Sequence, residues 1–175
     1  AVTRRVRKMV EDMYRCWGRE LKPALARGEF RFLEVHEVSA EDRAWLAGYL
    51  RKHRLGDKVR MLGAVGHARM RELLAATDIL FLPSKMEGIS VTIYEAMSMG
   101  VVPVSADVGG QRELVTPDCG FLMEPGTPEE QVAFYAGTLE RLIGQPELRA
   151  SMGAAAAARI RAGFDLHQMG DRLEA

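Results

Sequence analysis

The 175-residue chain has no excess of either charge: Lys+Arg and Asp+Glu stand at 24 each. That balance argues against a dedicated nucleic-acid binder, which normally carries a basic surplus. No apolar run approaches the roughly 18–20 residues that a membrane-spanning helix needs. Nor does any N-terminal stretch show the basic, apolar, small-residue order of a secretory leader. Cysteine is scarce. Cys16 and Cys119 stand alone in unlike contexts, which suggests a reducing compartment rather than a disulfide framework. No His/Cys/Asp cluster has metal-ligand spacing, and His36 and His67 read as ordinary loop or core histidines. Neither G-x-S-x-G nor G-x4-G-K-[ST] occurs, so the sequence offers no hydrolase elbow and no P-loop. What is present is 47% hydrophobic and 27% charged, an ordinary globular composition. The expectation is one soluble, cytoplasmic domain.

Charge is unevenly spread. Residues 1–31 hold nine Lys/Arg against four acids, which leaves the remainder at a net −5. The spacing predicts a basic amphipathic helix over about Thr3–Ala26, within a basic N-terminal segment of residues 1–29. Such a helix either presents a solvated face or lies against anionic lipid or an acidic partner, so peripheral contact with the inner face of a membrane is one expectation.

Beyond it, short apolar runs alternate with helical stretches, as in βαβ units around a parallel sheet. Strands are predicted at Phe30–His36, Val59–Leu62, Ile79–Pro83, Val102–Ala106 and Phe121–Met123. Their consecutive apolar positions suit a sheet covered by helices on both faces, so the expected fold is α/β and Rossmann-like. Ser39 reads as the N-cap of a helix to about His53, with Gly56 just beyond its end. Further helices are predicted over about Ala68–Ala76, from about Ser90 to Met99 with Gly100 as stop, from Pro128 to about Ile143, and from Pro146 to about Ala162. Thr127 and Glu130 have capping-box spacing around Pro128. A chain that opens with a helix before Phe30–His36 lacks the first, central strand of a doubly wound sheet.

The stretch 83–100, P-S-K-M-E-G-I-S-V-T-I-Y-E-A-M-S-M-G, concentrates the chemistry. A strand ends at Pro83, a loop carries Glu87 and Gly88, and a helix begins near Ser90. Ligands in open α/β sheets bind beyond the carboxyl ends of strands, and unpaired N–H groups at a helix start favour anions. Gly88 allows close backbone approach. Glu87 precedes the helix and Glu95 lies inside it. Two carboxylates beside an anion site suit sugar hydroxyls, which donate to them, rather than the anion itself. Gly109-Gly110 serves either as a turn or as room for ligand.

The E-x7-E pair Glu87/Glu95 sits within E-G-I-S-x4-E-A-M-S-x-G, followed by V-P-V-S-A-D-V-G-G-Q-R-E-L-V. With R-M-L-G-A-V, A-A-T-D-I-L-F-L-P-S, G-F-L-M-E-P-G-T-P-E-E and P-E-L-R-A-S-M-G, this ordered set resembles the C-terminal, donor-binding domain of a GT-B-fold retaining glycosyltransferase of the group 1 (family 4) class. The resemblance covers roughly Phe30–Phe164. It implies a nucleotide-sugar donor, no metal and no other cofactor, and no D-x-D pair occurs. It assigns Glu87 to the donor sugar near the reacting centre and Glu95 to the ribose. The amides of Gly88, Ile89, Ser90, Val91 and Thr92 would cradle the diphosphate, and Leu62 and Gly63 would border the base. It also implies an upstream acceptor-binding domain, absent from this chain.

Three departures stand out. The family's Arg/Lys diphosphate clamp after the first strand is missing, and Arg4–Lys8 do not match it. Its glycine-rich turn after the second strand is replaced by Glu34-Val35-His36-Glu37-Val38. Gln111-Arg112-Glu113 replaces the usual x-P-E, leaving Arg112 as either a substitute phosphate ligand or a surface arginine. Two rival readings follow: a degenerate nucleotide-sugar-binding module without turnover, or another GT-B-fold enzyme such as an epimerase or phosphorylase.

Overall fold

The computed structural model describes residues 32–34, 40–56 and 58–164. The predicted N-terminal basic helix, Cys16, the Ser39 cap and the 35–38 loop with His36 lie outside the described residues. The chain divides into two compact units, Ala1–Met70 and Arg71–Ala175.

In the first unit, strands β1 (Phe32–Glu34) and β2 (Val59–Met61) pair in parallel, Phe32 opposite Val59. Helix α1 (Ala40–Lys52) connects them. Gly56 does not supply its left-handed terminator. Arg54 does, at φ 56°. The Leu55 amide returns to the Leu50 carbonyl at 2.8 Å and the Arg54 amide to Arg51 at 3.1 Å, the paired bonds of a Schellman motif. Leu50 and Leu55 are both buried. The apolar pair that accompanies this motif therefore sets the stop, at the cost of a non-glycine residue in the left-handed region.

Helix α2 (His67–Ala75) runs across the division of the units. The second unit then holds β3 (Ile79–Leu82), α3 (Val91–Ser98), β4 (Val102–Ala106), α4 (Gln111–Leu114), β5 (Phe121–Met123), α5 (Pro128–Gly144) and α6 (Pro146–Gly163). Its three strands pair in parallel in the order β3-β4-β5, with Ile79 opposite Val102 and Val104 opposite Phe121. The expected parallel pairing with intervening helices is thus what both units contain. β4 is central and nearly all buried. Around it Ile93 and Met97 of α3, Leu114 of α4, Val115, Cys119, and Ala156 and Ile160 of α6 form the core. Cys119 is free and buried. α5 brings Tyr135 edge-on to Phe81, 5.0 Å between ring centroids, and burial pushes its phenol up to about 12.

At the start of α5 the helix end follows the sequence signal closely. Thr127 and Glu130 form the reciprocal capping box: the Glu130 amide donates to the Thr127 hydroxyl at 3.2 Å, and the Thr127 amide donates to the Glu130 carboxylate at 2.7 Å. The backbone hydrogen bond from Thr127 holds the Glu130 carboxyl below its ordinary 4.5. A depressed carboxyl stabilises the fold above its unfolded pKa and loses that contribution as pH falls through the folded value. Melting temperature should therefore fall on acidification below about pH 4.5 more steeply in the parent than in Glu130→Gln, with the two curves converging at low pH. Parallel curves would show that the capping carboxylate is not coupled to folding.

Candidate functional site

Because β3, β4 and β5 run parallel, the loops after them leave from one edge of the sheet. Residues 83–90, 107–110 and 124–127 share that edge, the end at which open α/β sheets take ligands.

The first loop leads into α3, whose N-cap is Ser90 in an extended conformation. Ser90 makes no side-chain capping bond, and the first intrahelical bond is the Tyr94 amide to the Ser90 carbonyl at 3.2 Å. The amides of Val91, Thr92 and Ile93 precede that bond and point out of the helix start. α3 closes with a complete Schellman motif: the Gly100 amide reaches Met97 and the Val101 amide reaches Ala96, each at 3.0 Å, with Gly100 at φ 80°. The predicted glycine stop is therefore real.

Glu87 and Glu95 are both half-buried. Among the described residues neither carboxylate has a hydrogen-bond or ion-pair partner, so Glu95 is not the salt-bridged helix carboxylate that its position alone would allow. Glu87 is flanked by exposed apolar side chains: Met86 at 87%, Ile89 at 50% and Val91 at 69%. A Cβ on Gly88 would meet nothing within 4 Å. The fold itself does not require glycine there.

Gly109 and Gly110 form a turn, as one of the two sequence readings has it, and the turn has a further use. The Gly110 amide donates to the Gly88 carbonyl at 2.7 Å. A Cβ on Gly109, which is at φ +59°, would lie 2.2 Å from the Glu87 carbonyl oxygen and 2.3 Å from that of Gly88. The glycine pair is the seat of the Glu87–Gly88 backbone, and the space is filled by the chain. Leu62 and Gly63 belong to the first unit. Gly63 is at φ +69°, with the Arg43 guanidinium 2.7 Å from where its Cβ would be.

The structure adds residues that sequence reasoning did not place. α4 is one such element. Its first residue, Gln111, is fully buried, and its Oε1 lies 2.6 Å from the buried Ser105 hydroxyl, which also lies 2.7 Å from the Leu82 carbonyl. One hydroxyl proton cannot serve two acceptors. With the carboxamide presenting its N–H to Ser105, a chain runs from Gln111 to Ser105 to the last residue of β3 with each group in its proper role. Arg112 is an exposed arginine paired with Asp107 and, at 3.3 Å, with Glu124; the Asp107 hydrogen bond holds the guanidinium above its ordinary value. Its charge is already matched by two carboxylates, which favours the surface-arginine reading. Arg159 of α6 donates to the carbonyls of Leu114 and Glu113 at 2.6 and 2.8 Å. No spacing signal could have linked residues so far apart in the chain.

A family model described as "Glycosyl transferases group 1" matches residues 39–159. Curated relatives include a GDP-mannose-dependent monoacylated alpha-(1-6)-phosphatidylinositol monomannoside mannosyltransferase of Corynebacterium glutamicum, 32% identical over 68% of this chain and 32% of that protein. A D-inositol 3-phosphate glycosyltransferase of Streptomyces griseus is 38% identical over 63% of this chain and 23% of its own length. The chain thus spans about a third or less of these relatives. Among solved structures, HepE of Anabaena in complex with UDP superimposes with TM-score 0.66 at 25% identity, over 83% of this chain and 41% of HepE. Sucrose-phosphate synthase of Thermosynechococcus elongatus gives 0.66 at 23% identity over 81% of this chain and 37% of its own, a likeness of fold. These neighbours are GT-B glycosyltransferases.

Proposed function

Because the chain belongs to the glycosyl transferases group 1 family, we propose that it is the donor-binding half of a retaining glycosyltransferase, moving a sugar from a nucleotide-diphosphate sugar to an acceptor. The observation that carries this is the Glu87–Glu95 segment. Uncapped helix-start amides and two carboxylates without partners among the described residues occur together on α3 and on the loop before it, which the Gly109–Gly110 backbone holds in place. Support also comes from a relative whose name specifies GDP-mannose and from a structural neighbour solved with UDP.

In this reading the amides of Gly88, Ile89, Ser90, Val91 and Thr92 receive the diphosphate, and Gly88 keeps the space above them open. Glu95 accepts from the ribose hydroxyls, and Glu87 accepts from donor-sugar hydroxyls near the reacting carbon. Gly109 and Gly110 act by holding the loop. As the bond from sugar to phosphate breaks, negative charge grows on the diphosphate, and amides oriented beforehand stabilise it without reorganising and without a metal. The exposed Met86, Ile89 and Val91 beside Glu87 suit coverage by an acceptor-binding domain across the cleft. We place the protein in the cytoplasm; among the described residues no helix is long and apolar enough to cross a membrane.

Calorimetric titration of the chain with UDP, GDP and ADP tests the reading. One nucleotide should bind saturably. Hydrogen bonds to charged groups contribute about 1.5–3 kcal/mol, so Glu95→Ala should weaken that binding roughly 10- to 100-fold. Glu87→Ala should leave the affinity for the free nucleotide unchanged and impair turnover in the enzyme with its acceptor domain. Equal losses of affinity in both variants would sink this division of roles. Absence of binding by the chain and by an N-terminally extended form would favour a degenerate module.

A further inference from the structure

We infer that Arg159 is a positioning residue for the Glu87–Gly88 loop, acting through α4; its bearing on nucleotide binding rests on the reading above. α4 has four residues, with the Glu113 amide on the Gly110 carbonyl at 3.0 Å at its start and the Val115 amide on the Gln111 carbonyl at 2.9 Å at its end. So short a helix cannot fix its own direction. At its front the Gly110 amide holds the Gly88 carbonyl at 2.7 Å, and buried Gln111 contacts Ser105, which reaches the carbonyl of Leu82. At its back the final carbonyls would be left without intrahelical partners. The Arg159 guanidinium takes both: Nε donates to Leu114 at 2.6 Å and Nη2 to Glu113 at 2.8 Å. Leu114 is 1% exposed and sets the depth of α4 in the core. The planar fork of Arg159 sets the direction of the carbonyls, and hence the angle at which the Gly110 amide meets the loop.

The fork is itself oriented. Its Cζ lies 5.6 Å from the centroid of the Phe164 ring, and that ring stands edge-on to Tyr94 of α3. One arginine thereby links α6, α4 and the helix that follows the Glu87 loop. A lysine carries its donors on one freely rotating nitrogen, so it lacks the two nitrogens in a fixed plane that hold both carbonyls in one orientation here.

Amide exchange at Gly110, followed by NMR on the ligand-free 175-residue chain, reads the tie directly. Arg159→Ala should speed that exchange by about tenfold or more, with Arg159→Lys intermediate. Leu139→Ala, a core truncation on α5, is the control: it lowers global stability and should leave Gly110 protected when measured well below its melting temperature. Unchanged exchange in Arg159→Ala, or equal acceleration in the control at matched stability, would overturn the inference. If Arg159→Ala does not fold, Arg159→Lys carries the same test against the parent. Where the parent binds a nucleoside diphosphate, Arg159→Ala should weaken that binding about tenfold, in step with the loop; equal affinity would also overturn it. Absence of nucleotide binding by the parent and by its N-terminally extended form defeats the donor-site reading, while Gly110 exchange still decides the role of Arg159.

Discussion

Gly109→Ala is expected to abolish nucleotide binding and to lower the melting temperature by several degrees. Two costs coincide at this position. The backbone is at φ +59°, where an L-residue other than glycine is disfavoured by about 1–2 kcal/mol. The new methyl would also stand 2.2 and 2.3 Å from the carbonyl oxygens of Glu87 and Gly88. Those atoms are backbone, so no rotamer change relieves the contact. Overpacking of this kind typically costs about 1–3 kcal/mol. Together the two terms reach roughly 2–5 kcal/mol, and at about 2–4 °C per kcal/mol for a chain of this size the loss should be visible in a thermal melt.

The chain has one way to lessen the clash, which is to release the Glu87–Gly88 segment. That route breaks the bond from the Gly110 amide to Gly88 and displaces the helix-start amides. A smaller stability loss therefore does not rescue the site, and binding fails by either route. Gly88→Ala is the matched control. Its methyl meets nothing within 4 Å, so it should melt like the parent and bind nucleotide more weakly, by obstructing the ligand rather than by moving the loop. A Gly109→Ala protein with parental melting temperature and affinity would show that the seat is not occupied as described.

The contrast between these two glycines shows what could be read from the sequence. Glu87, Gly88 and Glu95 are close along the chain. A strand end, a loop and a helix start were enough to put two carboxylates and a row of amides on one segment, and the structure agrees. Local chemistry likewise announced the Thr127/Glu130 box and the Gly100 stop. The role of Gly109 was not legible, because it depends on which distant backbone crosses it. α4 has only four residues, too few for any periodicity to show. Arg159 carries no local signal, since nothing in its sequence neighbourhood points to carbonyls 45 and 46 positions earlier. Arg54, not Gly56, ends α1 because a buried leucine pair outweighs the local preference for glycine.

Gly153→Ala separates local propensity from packing most sharply, because the two predict opposite signs. On a helix interior, glycine is about 0.5–1 kcal/mol worse than alanine, so the Ala-rich sequence of α6 alone would mark the substitution as stabilising. In the fold, the Cβ of residue 153 would sit 2.2 Å from the carbonyl oxygen of Gly100. That oxygen cannot turn aside easily, since Gly100 is the left-handed residue of the Schellman motif that closes α3, at φ +80°. Reaching ordinary contact distance means moving α6 away from α3. Met97 of α3 and Ala156 and Ile160 of α6, all in the core between them, would lose contact. The overpacking cost of about 1–3 kcal/mol then exceeds the propensity gain, and a lower melting temperature is expected. Arg159 lies on the displaced helix, so Gly110 should also exchange faster and nucleotide affinity should fall with it. A melting temperature above the parent's would mean that the two helices part without loss, and that the glycine contact is a consequence of the crossing rather than the condition for it.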